Sequence, residues 1–444
     1  MTPKVALLYP PVTEECSAMR DLGLTPPLHI LALAAYIKAE VIILDGAHLN
    51  YAQMLAALER FDPDVIGMNV DITNYKSAIA IANATRARII LGGNYAAFLA
   101  DNILRLRNRV EAVCYNDGEL ALQGFITGDL TAPNLIHRKG HNPVKILDIS
   151  KHPTPAYHLV HLPDYFARQQ QVFGANFRML QFYGQKGCLN SPHCTFCGRY
   201  EDGMRLRDPN IYCTEVENFI QQWGLTEVWD RSDSYLQSRR WFGIVFERLR
   251  HTGVRFKTYA RADQLTPDNV HKMHAMNFRM IYIGYEAGDD SLLRAMNKRE
   301  TTHQYLDATK RVLDAGIDID ASFIIGLPGE NQRTMENQIQ FVQKLSDLGL
   351  KKIKVNRVLV LPGTPLYARV CAAFPEVREL DTVNIADLQK KLYTTYPLPA
   401  SVEQFAEQLE VAAAAMMGII TRKGGCAEGY GLPKGTVLTG KEGA

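Results

Sequence analysis

Apolar strand-like segments alternate with helix-like segments over residues 1–130, and this alternation constrains the fold more than any other feature of the sequence. Strands that alternate with helices at this spacing form a parallel sheet with helices on both faces. Right-handed crossovers then favour a doubly wound, flavodoxin-like order of strands, in an α/β fold. The predicted strands are Val5–Tyr9, Val41–Leu44, Val65–Val70, Arg88–Leu91 and Glu111–Tyr115. The predicted helices are Pro27–Lys38, Met54–Arg60, Tyr75–Ala84 and Tyr95–Leu106.

The loops that follow these strands form the predicted ligand site of the first domain. Ligands of open parallel sheets bind beyond the carboxyl ends of the strands. Pro10, Asn69, Gly92 and Asn116 mark the loops after four of the predicted strands. We therefore expect a bound molecule to contact this edge of the sheet.

A second alternating series begins at Phe177. Six strand–helix units are too few for a complete eight-unit barrel, so they predict an open, partial (β/α)6 barrel. The predicted strands of this series are Phe177–Tyr183, Glu227–Asp230, Arg255–Ala260, Met280–Tyr285, Asp318–Ile325 and Lys352–Leu361.

The predicted division of the chain follows these two series. The first α/β domain covers residues 1–130, and the barrel covers residues 171–380. Residues 131–170 contain several prolines and little periodicity, so we expect them to be a linker. Residues 381–444 are predicted to form a short helical tail with a flexible end that is rich in glycine and lysine.

The composition excludes several classes of protein. The 444 residues are 47% hydrophobic and carry a net charge of +2, which is ordinary for a globular protein and unlike a nucleic-acid-binding protein. The longest near-continuous apolar run, Leu28–Ile37, is too short to span a bilayer. The first residues lead directly into a predicted strand and do not resemble a signal peptide. We therefore expect a cytoplasmic protein that binds neither nucleic acid nor membrane.

Cys188, Cys194 and Cys197 form the strongest chemical signal in the sequence. Clustered thiolates bind iron–sulfur clusters or zinc. Zinc requires a fourth ligand, for which Cys213 has a suitable spacing and His193 lies nearby. The three cysteines follow the first barrel strand and so lie at the carboxyl-end rim, where catalytic sites form. This position favours an iron–sulfur cluster, and structural zinc is the alternative.

The segment from Gly187 to Cys197 resembles the cluster loop of radical S-adenosylmethionine (radical SAM) enzymes. The N-terminal part resembles the cobalamin-binding domain that precedes this barrel in one large subgroup of that family. The downstream segments that resemble strands three to six of the family are Tyr259–Asp263, Tyr282–Gly288, Ser322–Glu330 and Leu361–Tyr367. The segments that fall at the loops of the cobalamin-binding domain are Pro10-Pro11, Asp45-Gly46, Gly92–Asn94 and Asp117–Glu119.

Two departures from the family pattern stand out. Five residues separate Cys188 from Cys194, whereas the family's usual loop has three. We expect the extra pair to bulge outward and leave the thiolates in place. The cobalamin-like domain lacks the lower-ligand signature Asp-x-His-x-x-Gly, and Asn94-Tyr95 stands where many relatives carry histidine. Some members without the signature bind cobalamin and others have lost it, so the sequence leaves cobalamin binding open.

The resemblance implies a [4Fe–4S] cluster on Cys188, Cys194 and Cys197, with S-adenosylmethionine on the fourth iron. It also implies an electron donor such as flavodoxin or ferredoxin. The residues that it assigns to S-adenosylmethionine are Phe196 and Gly326 at the adenine, Arg261 at the methionyl carboxylate, and Glu286 at the ammonium group or a ribose hydroxyl. The residues that it assigns to cobalamin are Pro10, Asn69, Gly93 and Asn94.

Each of these residues also has a structural interpretation. Phe196 is then a core aromatic residue, and Gly326 only ends a strand. Arg261 and Glu286 form an ion pair with each other in that interpretation. Lys298 either assists the carboxylate or lies on a solvated face. The candidates for contact with substrate or ribose after the second barrel strand are Asp230, Asp233 and Tyr235.

The leading functional hypothesis is cobalamin-assisted methylation of an unactivated carbon in a small-molecule or peptide substrate. The second hypothesis drops cobalamin and uses the thiol of Cys371 as a hydrogen-atom donor, as a radical peptide epimerase requires. The structural interpretation of Cys371 is a small buried apolar residue. The third hypothesis is a zinc-stabilised binding protein without catalytic activity.

Overall fold

The computed structural model describes residues 2–13, 23–199, 203–398, 401–430 and 437–439. The chain divides into two compact units. The N-terminal unit comprises Met1–Gln181, Leu361–Gly363 and Pro375–Val383, and the C-terminal unit comprises Phe182–Val360, Thr364–Phe374 and Asn384–Ala444. None of the helices in the described ranges has both the length and the apolar character that crossing a bilayer requires.

In its described residues, the N-terminal unit contains a seven-stranded sheet in the order β2-β1-β3-β4-β5-β6-β7. The first five strands of this order are parallel. The order 2-1-3-4-5 is the flavodoxin-like order that the sequence predicts, and it places the switch point between β1 and β3. The strands are β1 (Lys4–Tyr9), β2 (Glu40–Asp45), β3 (Val65–Asn69), β4 (Arg88–Gly92), β5 (Val110–Cys114), β6 (Leu135–His137) and β7 (Gly140–His141).

Helices connect these strands, and the apolar faces of the helices pack against the sheet. For example, Leu7, Val65, Ala121 and Phe125 belong to one buried cluster. The helices are α1 (Leu28–Tyr36), α2 (Tyr51–Phe61), α3 (Tyr75–Ala84), α4 (Asn94–Phe98), α5 (Ala100–Leu106), α6 (Gly118–Thr127) and α7 (Leu162–Phe173).

The structure differs from the sequence prediction at two places in this unit. The single helix predicted over Tyr95–Leu106 is two helices, α4 and α5, which meet at Leu99. The segment predicted as a linker contributes the antiparallel strands β6 and β7 to the sheet edge, followed by α7. Strands of two and three residues are too short to show an alternating pattern, so no local pattern predicts them.

The C-terminal unit is built on an eight-stranded sheet in the described part of the chain, in the order β17-β16-β15-β14-β13-β12-β11-β8. Each pair from β11 to β16 is parallel. The strands are β8 (Met179–Phe182), β11 (Glu227–Asp230), β12 (Arg255–Ala260), β13 (Phe278–Glu286), β14 (Asp318–Ile325), β15 (Lys352–Arg357), β16 (Cys426–Tyr430) and β17 (Val437–Thr439). A separate antiparallel hairpin pairs β9 (Gln185–Cys188) with β10 (Gly203–Leu206).

Helices follow most of these strands and bury their apolar faces. Several begin at a side chain that caps the first turn, such as Asp208, Ser238 and Thr301. The helices are α8 (Pro209–Trp223), α9 (Arg239–Leu249), α10 (Pro267–Ala275), α11 (Asp290–Ala295), α12 (Thr302–Asp314), α13 (Gln332–Asp347), α14 (Pro365–Ala373), α15 (Ile385–Tyr393) and α16 (Val402–Arg422).

The tail is more than the helical segment that the sequence predicts. After α16 the chain returns as β16, which pairs in parallel with β15, so the sheet extends past the last of the six predicted strands. Ala427 in β16 is fully buried. A strand that contains Glu428 and Gly429 has weak strand propensity, so only its tertiary pairing reveals it. Within the end that the sequence predicts to be flexible, Cys426–Tyr430 and Val437–Thr439 are strands, and residues 431–436 and 440–444 lie outside the described residues.

Asp381 anchors the segment Pro375–Val383 to helices of the N-terminal unit. Its carboxylate accepts hydrogen bonds from the Tyr75 hydroxyl at 2.5 Å and from the Arg107 guanidinium at 2.5 and 3.2 Å. Burial raises the pKa of Asp381, but the bonds from Arg107 and Tyr75 outweigh burial and hold the pKa below its usual value. This carboxylate therefore stabilises the folded unit in its ionised form.

We expect Asp381→Asn to lower the free energy of unfolding by about 1.5–3 kcal/mol at pH 7, the typical contribution of hydrogen bonds to a charged group. The folded pKa is lowered, so the contribution is present above about pH 3.9 and is lost as the pH falls. Urea unfolding of parent and variant at pH 7 and pH 3 tests this. A difference that is the same at both pH values would contradict it.

Candidate cluster and cofactor site

The three clustered cysteines lie on the loop that joins β9 to β10. Cys188 is the last residue of β9 and pairs with Gly203 of β10. Cys194 and Cys197 follow on the loop, where the Cys197 amide donates to the Cys194 carbonyl at 2.9 Å. The hairpin therefore fixes one end of the cysteine segment.

Side chains after β11 hold the start of this loop. The Gly187 amide donates to the Asp233 carboxylate at 2.6 Å. The Leu189 amide donates to Gln237 Oε1 at 2.6 Å, and Gln237 Nε2 donates to the Gly187 carbonyl at 2.9 Å. Asp233 therefore holds the cysteine loop, and its predicted contact with substrate or ribose stays a prediction. Gln237 is a loop anchor that the sequence analysis missed.

Asp230 and Tyr235 are also structural. Both side chains are buried, and Asp230 accepts from the Ser232 amide at 2.8 Å. Burial raises the pKa of Asp230 to about 6. Neither side chain has the exposure that a substrate contact needs, so their prediction as substrate contacts is wrong.

Asn297 anchors the middle of the cysteine loop. Its Nδ2 donates to the His193 carbonyl at 3.0 Å and to the Pro192 carbonyl. Its own carbonyl accepts from Asn190 Nδ2 at 2.9 Å. Asn297 has a positive φ of 59°, a conformation that asparagine adopts more readily than most residues. The loop is therefore tied to the segment after α11 as well as to the hairpin.

The sequence offers two kinds of metal site for these thiols, an iron–sulfur cluster and structural zinc. Within the described ranges, no group of three or more His, Cys, Asp and Glu side chains converges on a single metal ion. Thiolates of a [4Fe–4S] cluster bind different irons, so they need not converge in this way. Cys213, the proposed fourth zinc ligand, is fully buried in α8. Three thiols on one loop have the chemistry that a cluster requires, and their role as cluster ligands stays a prediction.

Charged side chains surround the same loop. Burial raises the pKa of the Cys194 thiol, and Lys298 acts in the opposite direction. Burial lowers the pKa of Arg261, but Glu300 and Asp263, with a smaller contribution from Cys188, raise it above its usual value. These two cations lie where they stabilise the negative charge of bound thiolates.

Glu300 is the centre of this charged network. Its side chain is completely buried and lies 3.5 Å from both Arg261 and Lys298. Its Oε1 accepts from the Asp263 amide at 3.0 Å. Glu286 Oε1 lies 3.4 Å from Lys298 Nζ. The network therefore joins β12, β13 and the segment after α11 into one charged layer.

This network corrects two structural interpretations. Arg261 pairs with Asp263 and Glu300 while Glu286 pairs with Lys298, so Arg261 and Glu286 do not form the expected ion pair. Lys298 is buried and not on a solvated face. Sequence reasoning missed Glu300, because Lys298, Arg299 and Glu300 are three charged residues in succession, a pattern typical of a surface.

Glu286 has an unusual backbone that directs its side chain onto the sheet. Its φ is 64°, and the register with β14 shifts between Gly284 and Glu286. The carboxylate occupies the space that a Cβ atom of Gly284 would fill. Only glycine at position 284 leaves room for this carboxylate. The predicted contact of Glu286 with the ammonium group or a ribose hydroxyl would therefore lie beside Gly284, and it stays a prediction.

The predicted adenine contacts have different surroundings. Phe196 lies partly buried between Cys194 and Cys197, flanked by Thr195, whose amide donates to the Met296 carbonyl at 3.0 Å. The space beside Gly326 is filled by the ring of Tyr393, and its carbonyl accepts from the Tyr396 hydroxyl at 3.2 Å. The close approach at Gly326 is therefore to α15 and the residues after it. Phe196 remains the better candidate.

Cys371 lies in α14 and is 4% exposed. A buried helical thiol is what the structural interpretation expects. The start of α14 contacts the cysteine loop, where the Leu366 amide donates to the Thr195 carbonyl at 3.2 Å. The role of Cys371 as a hydrogen-atom donor stays a prediction.

In the N-terminal unit, the predicted cobalamin residues lie at the carboxyl ends of the central strands. Asn69 is the last residue of β3 and pairs with Gly92 of β4. Gly93 has a φ of 92°, and a Cβ atom there would collide with the Val70 carbonyl. Asn94 begins α4, and Pro10 follows β1. The structure thus brings Asn69, Gly93 and Asn94 together and places Pro10 after the adjacent strand.

This edge has Asn94 and Tyr95, and no imidazole, at the position where many relatives carry histidine. The side chain of Tyr95 is buried, and its hydroxyl accepts from the Val383 amide at 3.1 Å. Tyr95 is therefore not available as a ligand. Asn69 and Asn94 have amide groups that would bind a polar cofactor at this edge, and Tyr95 would not be among the residues that hold it.

Two parts of the chain match known families. Residues 183–342 match the radical SAM superfamily, and residues 21–126 match the B12 binding domain. The chain is therefore an enzyme that contains a radical SAM domain and, before it, a B12-binding domain. Membership of the superfamily implies a [4Fe–4S] cluster and S-adenosylmethionine as cofactors, and the second match supports cobalamin.

Curated relatives include methyltransferases. An uncharacterized methyltransferase of Pyrococcus horikoshii is 23% identical over 392 residues, which are 82% of this chain and 82% of that protein. The hopanoid C-2 methylase of Rhodopseudomonas palustris is 25% identical over 235 residues. That alignment covers 50% of this chain and only 41% of the methylase.

Two solved structures share the fold. The cobalamin-dependent S-adenosylmethionine radical enzyme OxsB, with aqua-cobalamin bound, matches with a TM-score of 0.72 and 17% identity over 95% of this chain and 67% of that chain. The radical S-adenosylmethionine methyltransferase TsrM from Kitasatospora setae matches with a TM-score of 0.67 and 15% identity over 84% of this chain and 78% of that chain. The predicted α/β fold class is confirmed.

Proposed function

We propose that this enzyme transfers a methyl group to carbon in a cobalamin-dependent radical SAM reaction on a small-molecule substrate. One observation carries the proposal: the cysteine loop lies against the buried layer of Arg261, Glu286, Lys298 and Glu300, in a chain that also contains a B12-binding domain. The relatives named as methyltransferases support the reaction type.

Specific residues have defined tasks in this proposal. Cys188, Cys194 and Cys197 bind three irons of the cluster, and Glu286 and Arg261 bind the ammonium and carboxylate groups of S-adenosylmethionine. Lys298 and Glu300 hold those two side chains in place. When bound, the cluster supplies an electron and cobalamin carries the methyl group. A low-potential protein such as flavodoxin or ferredoxin is the proposed electron donor.

Cofactor content tests the proposal directly. Protein produced with cobalamin in the medium and purified without oxygen is expected to be brown, with about four irons and four sulfides per chain, and to contain cobalamin. Metal analysis and the absorption spectrum measure this. A colourless, zinc-containing protein would contradict the class of cofactor. Full iron without cobalamin would instead favour the cobalamin-free radical reaction.

Glu286→Gln and Arg261→Ala are each expected to keep the cluster and to weaken binding of S-adenosylmethionine. Losing a hydrogen bond to a charged group lowers affinity about 10–100-fold. Equilibrium binding by isothermal calorimetry measures the change, and iron analysis shows whether the cluster is kept.

Matched controls are Glu247→Gln and Arg250→Ala, which change an exposed ion pair between residues 3.1 Å apart, at the end of α9. Their affinity for S-adenosylmethionine is expected to equal that of the parent. Parental affinity in both Glu286→Gln and Arg261→Ala would assign the charged layer a structural role only.

A further inference from the structure

Asn190 lies inside the five-residue gap between Cys188 and Cys194 and turns its side chain toward a cluster ligand. Its Nδ2 lies 3.1 Å from Cys194 Sγ, and the residue is only 6% exposed. Its neighbour Leu189 is 53% exposed. The longer gap thus bulges outward at Leu189 and returns inward at Asn190.

Hydrogen bonding fixes the orientation of the Asn190 amide. Nδ2 also donates to the Asn297 carbonyl at 2.9 Å. If the amide were reversed, its oxygen would face that carbonyl oxygen, and two acceptors would lie in contact without a proton between them. The NH2 group therefore faces both acceptors, with one hydrogen for the Asn297 carbonyl and the other for the sulfur.

Hydrogen bonds also hold the backbone of Asn190. Its carbonyl accepts from the Arg199 guanidinium at 3.0 Å, and the same guanidinium donates to the Cys188 carbonyl at 2.6 Å. The donor is thus fixed by contacts on both sides. When Cys194 is a thiolate bound to iron, its sulfur carries negative charge and becomes a better acceptor for this N–H group.

We propose that Asn190 is a positioning residue that sets the reduction potential of the cluster through an N–H···S hydrogen bond to Cys194. A hydrogen bond to a ligand sulfur stabilises the more negative, reduced cluster and so raises its potential. This inference rests on the proposed function only in requiring the cluster. The donor lies within the five-residue gap between Cys188 and Cys194, where the sequence departs from the usual loop length.

Redox titration of the purified, cluster-containing protein tests the inference. Asn190→Leu keeps the side-chain volume and removes the donor. We expect the ratio of reduced to oxidised cluster at a fixed solution potential to fall on the order of tenfold, which for one electron is about 59 mV. The titration is followed by electron paramagnetic resonance with dithionite as reductant, without S-adenosylmethionine or cobalamin.

Asn297→Gly is the matched control. It removes the side-chain bonds to Pro192 and His193 that hold the same loop, keeps the positive φ accessible, and leaves the carbonyl that orients Asn190. It is expected to lower thermal stability without changing the potential. An unchanged potential in Asn190→Leu, or an equal shift in Asn297→Gly, would overturn the inference.

A second measurement does not depend on the variant holding a cluster. In parent protein labelled with ¹⁵N at the side-chain amides of asparagine, pulsed electron paramagnetic resonance of the reduced cluster is expected to detect a ¹⁵N coupling. Absence of the coupling would refute the hydrogen bond. Both readouts are independent of methyl transfer, so a failure of the methylation proposal leaves them interpretable. A parent without any cluster would contradict both proposals together.

Discussion

Replacing Cys188, Cys194 or Cys197 with alanine is expected to abolish retention of the [4Fe–4S] cluster and cleavage of S-adenosylmethionine. In the proposed cluster each thiolate would bind a different iron, so no neighbouring ligand would compensate for its loss. Iron and sulfide analysis after anaerobic reconstitution measures retention. Release of 5′-deoxyadenosine in the presence of dithionite measures cleavage.

Cys213→Ala is the control for these variants. Cys213 is buried in α8 of the same unit, and its charged neighbours are Arg248, Glu217 and Asp208 rather than the other clustered thiols. It is expected to keep the parental iron content. Full iron in Cys188→Ala would remove that residue from the ligand set, and loss of metal in Cys213→Ala would revive the zinc interpretation.

Glu300→Gln is expected to produce the largest loss of stability among single changes in the charged layer. The substitution keeps the shape and removes the charge that Arg261 and Lys298 share. Breaking a buried pair costs about 3–5 kcal/mol, and we expect about 3 kcal/mol because Asp263 and Glu286 still face the two cations. Urea unfolding at pH 7 measures the difference.

The control for Glu300→Gln is Glu247→Gln, which removes the charge of an exposed glutamate paired with Arg250. Its effect on the free energy of unfolding is expected to stay within about 0.5 kcal/mol. If the two variants unfold at the same urea concentration, Glu300 does not hold the charged layer together.

The sequence predicts several helices and strands well because their apolar residues follow a clear periodic pattern. Tyr75–Ala84 as a helix, and Arg255–Ala260 and Asp318–Ile325 as strands, have the same bounds in the structure. Alternating or continuous apolar residues and clear turn residues determine these elements locally. The cysteine segment was likewise visible from spacing alone. Its assignment as the cluster-binding loop remains a prediction, which the cysteine variants test.

Other features depend on contacts between distant segments. Strand β16 has weak propensity and forms by pairing with β15 about 75 residues earlier. Glu300 and Lys298 look like surface residues in the sequence, and only the fold buries them against Arg261 and Glu286. Asn190 is an ordinary polar loop residue until the fold places it beside Cys194. No local sequence pattern predicts these contacts between distant segments.

The central claim is that this chain is a cobalamin-dependent methyltransferase, and the products of S-adenosylmethionine test it most directly. Protein purified with both cofactors is incubated with S-adenosylmethionine, a low-potential reductant and candidate substrates, and nucleoside products are quantified by mass spectrometry. We predict S-adenosylhomocysteine together with 5′-deoxyadenosine, with S-adenosylhomocysteine absent from protein prepared without cobalamin. Formation of 5′-deoxyadenosine alone, whether or not cobalamin is present, would contradict the claim.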